Sequence, residues 1–243
     1  MRKSFVFELC AESLEAAGAG QAGGADRIEL CEELHVGGVT PRMRLLELVL
    51  GAVTIPVHVL VRPRAGDFVY SAAEFARMRK EIMQAKAAGA AAVVIGVLLP
   101  NGHVDVKRTR ELVQLARPMR VTFHRAFDEV SDQERALEDV IAAGADILLT
   151  SGGAANVLDG APMLARLQTQ SAGRIEIMAG GGLRLGNLAE VVRRSGVTSL
   201  HGSLSQHPED DPSRRVVLAE DVRKAVRMLQ QESMAAVAAG TGS

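Results

Sequence analysis

The stretch Gly24-Ala25-Asp26-Arg27-Ile28-Glu29-Leu30-Cys31 decides the fold. Its glycine suits the left-handed residue that ends a helix. The alternation that follows puts Ile28 and Leu30 on one face of a strand and Arg27, Glu29 and Cys31 on the other. Outward from here the chain keeps one beat: an apolar run, a polar residue at its tail, a helical stretch, a glycine. Gly89, Gly144 and Gly196 close further helix-like segments in the same way. The apolar runs occupy 5–10, 27–31, 57–64, 92–98, 120–124, 146–151, 175–179 and 198–201. Strands alternating with helices predict a parallel sheet, and eight is the number that closes a (β/α)8 barrel of the TIM type. An open doubly wound sheet is the competing architecture, and it requires a reversal of strand order. Thr40-Pro41 predicts a capping hydroxyl before a proline at the first helical position, and Ser71-Ala72-Ala73-Glu74 and Ser131-Asp132-Gln133-Glu134 predict capping boxes. Asn187 and Ser213 are candidate caps for the last two helices.

Composition narrows the classes. Of the 243 residues, 47% are hydrophobic and 23% charged, enough for a sizeable core and against global disorder. A net charge of −1, no basic block and 3% aromatics speak against a nucleic-acid partner. No apolar run is long enough to span a bilayer, and the opening Phe5-Val6-Phe7 is too short for a secretory signal. Two cysteines make no disulfide framework. The expectation is a cytoplasmic protein with free thiols and no membrane partner. One domain is expected over residues 1–232, with the uncharged, uncapped segment 233–243 as a disordered tail.

Strand parity locates the chemistry. Phe5, Phe7 and Leu9 face the helices, which turns Glu8 and Cys10 inward. The same rule places Arg27, Glu29 and Cys31, then His58, Leu60, Arg62 and Arg64, then Thr122 and His124, and finally His201 inside the barrel. Barrel interiors are usually layers of Val, Ile and Leu, so charges gathered there must pair or meet water and ligand. His58, in mid-strand, reads as a satisfied core histidine. The polar residues at the tails of the runs define a site at the C-terminal rim of the strands.

Four constellations fall at that rim. Glu8-Leu9-Cys10 and Glu29-Leu30-Cys31 repeat one pattern on neighbouring strands, so the thiols of Cys10 and Cys31 can meet, as a soft ion such as Cu(I) requires. Cysteine as a small buried hydrophobe is the plainer reading. Arg62-Pro63-Arg64 offers two guanidiniums as an anion fork, or balance for Glu8 and Glu29. In Thr122-Phe123-His124-Arg125-Ala126-Phe127-Asp128, His124 is a candidate acid–base group with Asp128 as its orienter, and an Arg125–Asp128 pair is the structural alternative. Gly180-Gly181-Gly182, ahead of a helix and near Thr150-Ser151-Gly152-Gly153 and His201, could present backbone amides to an anion, although glycine-rich turns also serve geometry alone.

Taken in order, these motifs resemble the CutC family. The resemblance runs from Phe5 to Ser203 and includes Gly37-Gly38-Val39-Thr40-Pro41, Ile55-Pro56-Val57-His58, Arg62-Pro63-Arg64-Ala65-Gly66-Asp67-Phe68, Thr122 to Asp128, Leu149-Thr150-Ser151-Gly152 and Ile177-Met178-Ala179-Gly180. It implies a TIM barrel, a cytoplasmic location, homodimers or homotetramers, and a role in copper homeostasis with Cys10 and Cys31 as the Cu(I) ligands. It brings no reaction with it. The chain departs from the family after Ser203, where Leu204-Ser205-Gln206-His207-Pro208 leads quickly into a charged helix over 213–231.

Three readings follow. In the first the protein binds or traffics Cu(I) through Cys10 and Cys31. In the second it is a metal-independent enzyme for a small anionic or phosphorylated substrate. Arg62 and Arg64 then clamp the anion with help from Arg125, Ser151, Gly180, Gly181 and His201, while His124, Glu8, Glu29 and Asp128 handle protons. In the third the polar interior is structural. The sequence leaves open whether the protein is an enzyme.

Overall fold

A computed structural model describes residues 5–207 and 215–240. Strands β1 (Val6–Ala11), β2 (Arg27–Leu30), β3 (Val57–Leu60), β4 (Ala92–Ile95), β5 (Arg120–Phe123), β6 (Ile147–Thr150), β7 (Glu176–Ala179) and β8 (Ser199–Gly202) follow one another around a closed parallel barrel. Helices α1 (Leu14–Gly23), α2 (Met43–Ala52), α3 (Ala72–Ala88), α4 (Val106–Ala116), α5 (Gln133–Ala143), α6 (Ala161–Ser171), α7 (Leu188–Ser195) and α8 (Ala219–Gly240) lie outside it. This is a (β/α)8 barrel, and the order of strands never reverses as a doubly wound sheet would require.

Local chemistry sets the helix ends. Ser71 and Glu74 form the reciprocal capping box of α3. Gly24, Gly89, Gly144 and Gly196 each terminate a helix in the left-handed conformation. Other expected caps are displaced. Asp132 rather than Ser131 accepts the Arg135 amide at the start of α5. Helix α2 begins at Met43 without a side-chain cap, because Thr40 is engaged elsewhere: its hydroxyl donates to Glu81 and accepts from the Arg62 amide. Asn187 flanks α7, but its Oδ1 accepts from the Arg184 amide. Ser213 lies outside the described residues. Helix α8 runs on to Gly240, past the domain boundary at 232 that the sequence suggests.

Outward side chains such as Phe7, Leu9, Ile28 and Leu30 are fully buried in the apolar layer between strands and helices. Each such burial stabilises the fold by about 1.5–3 kcal/mol. Inside the barrel the filling is divided. Ile147, Leu149 and Met178 form one apolar plug, and Cys10, Cys31, Leu60 and Val94 another. Glu8, Arg27, His58 and His201, all buried, occupy the remainder. Among the described residues no helix is long and apolar enough to cross a membrane.

Candidate functional site

Register builds the charged part of the interior. Glu8 stands level with Arg27 of β2 on one side and His201 of β8 on the other, Cys10 stands level with Glu29, and Glu29 with His58. Glu8 is completely buried. Arg27 Nε donates to its Oε2 at 2.7 Å, His201 Nδ1 lies 2.8 Å from Oε1, and His58 Nδ1 lies 3.0 Å from Oε2. Burial alone would raise the Glu8 pKa. The hydrogen bond with His201, then His58 and the Arg27 charge, outweigh it and hold the carboxyl well below its ordinary range. Arg27 spans the barrel floor, donating also to Glu176 at 2.8 Å and Ser199 at 3.1 Å. Burial opposes the charge on His201, yet Glu29 and Glu8 together raise its pKa.

The two thiols meet as parity predicts. Cys10 Sγ lies 3.7 Å from Cys31 Sγ and 3.7 Å from Glu29 Oε1, and both cysteines are free. The hydrogen bond with Cys31 raises the Cys10 pKa well above the usual thiol value, with burial and the neighbouring carboxylates adding to it. Burial raises the Glu29 pKa as well, against the field of His201. Cys10, Glu29 and His201 can bring one ligand atom each to within 4.8 Å of one another. The sequence assigned Glu29 and His201 to proton transfer and anion binding. The structure groups both with Cys10, and Cys31 stands outside that triad, next to Cys10. Because Glu8 holds His201 Nδ1, the other ring nitrogen is the one left to a ligand.

Cys10, Glu29 and His201 also line a cavity of about 550 Å3 at the C-terminal mouth of the barrel, which Arg62 and Phe68 share from beyond β3 and His124 from beyond β5. Arg62 is only 6% exposed. Its Nη1 donates to the carbonyls of Val36 and Gly38, and its Nη2 to that of Gly66. Arg62 and Arg64 do not form a fork. The strand ends at Leu60, so alternation no longer governs the residues beyond it. Arg64 stacks over Tyr70, pairs with Asp67 and Glu74, and does not line the cavity.

His124 also departs from expectation. Burial, with the Arg62 charge, pushes its pKa down to about 3, so the ring is neutral at physiological pH. Its Nδ1 accepts the Ala126 amide at 3.1 Å, which assigns the ring proton to Nε2. Asp128 does not orient it. Phe68 packs on the ring with centroids 4.9 Å apart, and Gly96 backs it so closely that a Cβ there would fall 2.3 Å from Cε1. Phe68 closes the Arg62–Phe68 motif without marking itself as a contact of His124, and Gly96 carries no signal in the sequence.

Asp128 instead organises the loop after β6. It pairs with Arg125 at 2.7 Å, the alternative weighed from the sequence, and accepts from the Thr150 hydroxyl and the amides of Ser151 and Gly153. Ser151 therefore stands behind Arg125, turned into this network, and does not line the cavity. Gly181 and Gly182 line the cavity, whereas Gly180 backs the His201 side chain. Gly181 has φ +101°, and a Cβ on it would come within 2.9 Å of the Arg125 guanidinium. The turn does not open a helix directly, since α7 starts only at Leu188.

Residues 5–206 match the CutC family. A CutC protein of Chromobacterium violaceum is 48% identical over 198 residues, which is 82% of this chain and 80% of that one. The chain belongs to the CutC family. The human copper homeostasis protein cutC homolog is 45% identical over 199 residues, 82% of this chain and 73% of its own. The crystal structure of a CutC from Streptococcus agalactiae superposes with a TM-score of 0.77 at 31% identity, covering 82% of this chain and 98% of that one. The CutC barrel therefore carries both a thiol cluster and a ligand-sized cavity within one ring of strands.

Proposed function

We propose that this CutC protein binds Cu(I) through Cys10 and Cys31. The observation that carries the reading is the 3.7 Å approach of the two sulfurs, of which that of Cys10 borders the cavity. Paired thiolates are soft donors and suit Cu(I) better than hard divalent ions. His201 supplies an imidazole beside them, fixed by Glu8 as outer carboxylates fix metal-ligating histidines, and Glu29 adds an oxygen donor. The donor set fits the ion, and the names of the human and mouse relatives point to copper homeostasis. The role is binding or transfer of the ion in a reducing cytoplasm, where both cysteines remain thiols.

Anaerobic competition titration with a Cu(I) chelator tests this. The wild type is expected to take up the ion stoichiometrically, and the Cys10→Ser/Cys31→Ser variant to lose that uptake. Equal affinity and stoichiometry in the two proteins would remove the proposal.

A further inference from the structure

A copper site uses only one end of the cavity. The same cavity also holds a buried guanidinium that, among the described residues, forms no ion pair: the Nη atoms of Arg62 donate to the carbonyls of Val36, Gly38 and Gly66. Carbonyls solvate a cation but do not neutralise it, and an uncompensated buried charge is strongly disfavoured. Tyr70 does not balance it either, because burial drives the phenol pKa up to about 12 and keeps it neutral. Three of the buried polar atoms that lack a hydrogen-bond partner belong to residues lining this one cavity: Arg62 Nε, His124 Nε2 and Glu29 Oε2. Phe68 links the first two, with its ring centroid 4.9 Å from the Arg62 guanidinium carbon and 4.9 Å from the His124 centroid.

These observations specify a ligand. One unpaired positive charge calls for one negative charge. Arg125, Arg184 and Arg215 also line the cavity, against Glu29, Asp128 and Glu129, so with Arg62 the lining carries one net positive charge and suits a monoanion. The N–H groups at Arg62 Nε and His124 Nε2 suit a carboxylate oxygen. Glu29 Oε2 calls for a hydroxyl, which can donate to a carboxylate or accept from a carboxylic acid. A volume of about 550 Å3 exceeds the needs of a bare ion and suits a molecule with several further polar groups. We propose that the mouth of this barrel binds a polyhydroxylated monocarboxylate, an acid of the sugar-acid class, with its carboxylate at Arg62 and His124 and a hydroxyl at Glu29. The site shares the cavity and Glu29 with the thiol pair but makes no use of the sulfurs.

Calorimetric titration of the metal-free full chain with gluconate is the test, alongside glucose (no charge), hexanoate (no hydroxyls) and glucose 6-phosphate (a dianion). Gluconate is expected to bind, and each of the other three to bind about tenfold more weakly or not at all. His124→Phe keeps a planar ring and removes the donor, and should weaken gluconate about tenfold. Arg62→Gln should weaken it further, provided circular dichroism shows the native fold. The Cys10→Ser/Cys31→Ser protein should bind gluconate as the wild type does, whatever becomes of its copper. The proposal is overturned if gluconate produces no binding at about 10 mM, if glucose 6-phosphate binds more tightly, if His124→Phe leaves affinity unchanged, or if the double cysteine variant loses the acid.

Discussion

Glu8 and His201, 193 positions apart in the sequence, are joined across the seam where the barrel closes, Nδ1 to Oε1 at 2.8 Å. The contact follows from closure: β1 and β8 pair only in a ring, and their register sets these two residues side by side. One carboxylate thereby fixes a ring of the thiol cluster, lies beside His58 and neutralises Arg27.

That concentration of roles makes Glu8 the costliest interior polar residue to alter. Glu8→Gln leaves Arg27 with Glu176 as its remaining acidic partner and takes the ion from a completely buried network. Stability is expected to fall by about 3–5 kcal/mol in denaturant unfolding. If the protein folds, Cu(I) affinity should drop by about 10–100-fold, as loss of an outer-shell carboxylate does. Unchanged unfolding and unchanged copper affinity together would show that the seam contact is incidental.

His124 predicts a pH dependence with a definite sign. Its folded pKa of about 3 lies below the ordinary 6.5, so between those values the unfolded chain holds a proton that the folded chain lacks. Stability therefore rises with pH across that window and is lost as the pH falls, by at most about 1.4 kcal/mol per unit. His201 has the opposite sign: its raised pKa stabilises fully below the ordinary value and ceases to do so as the pH climbs through the folded one. Comparing wild type with His124→Phe isolates the first effect, because both retain His201. The wild type should lose stability relative to the variant on acidification; parallel curves would show that the ring is protonated in the fold.

Copper binding has a pH dependence of its own. The Cys10 proton is held tightly, by the contact with Cys31 first and by burial second, and a thiolate ligand must shed it. Cu(I) affinity should rise with pH by about tenfold per unit for each proton displaced, over about pH 6 to 8. A flat profile in competition titrations would exclude the Cys10 thiolate as a ligand.

Much of this was legible in the sequence. Alternation placed Glu8, Cys10, Glu29 and His201 in one interior, because a strand has period two and each of them sits within a strand. Arg64 escaped the rule because β3 stops at Leu60, and beyond it the loop over 61–70 directs the side chain to Tyr70. The spacing of His124 and Asp128 suggested a pair, but the 3-10 turn Arg125–Glu129 sends Asp128 toward the β6 loop. Burial of the His124 ring comes from Gly96, just after β4, and Phe68, in the loop after β3, and no local pattern reports it.

Gly96 therefore offers a direct test of how His124 is held. It follows β4 immediately, and a Cβ added there would meet His124 Nδ1 at 2.4 Å and the Ala126 Cβ at 2.9 Å. The first atom accepts the Ala126 amide, and the second belongs to the residue that supplies it. Gly96→Ala must displace the ring, the turn or both, at a cost of about 1–3 kcal/mol for overpacking a rigid interior. Displacement also lets water reach the imidazole, so its pKa should climb from about 3 toward the ordinary 6.5. Histidine proton resonances followed through an acid titration would register that climb, and unfolding would register the lost stability. A variant with native stability and an unmoved His124 titration would mean that the ring is positioned by Phe68 alone.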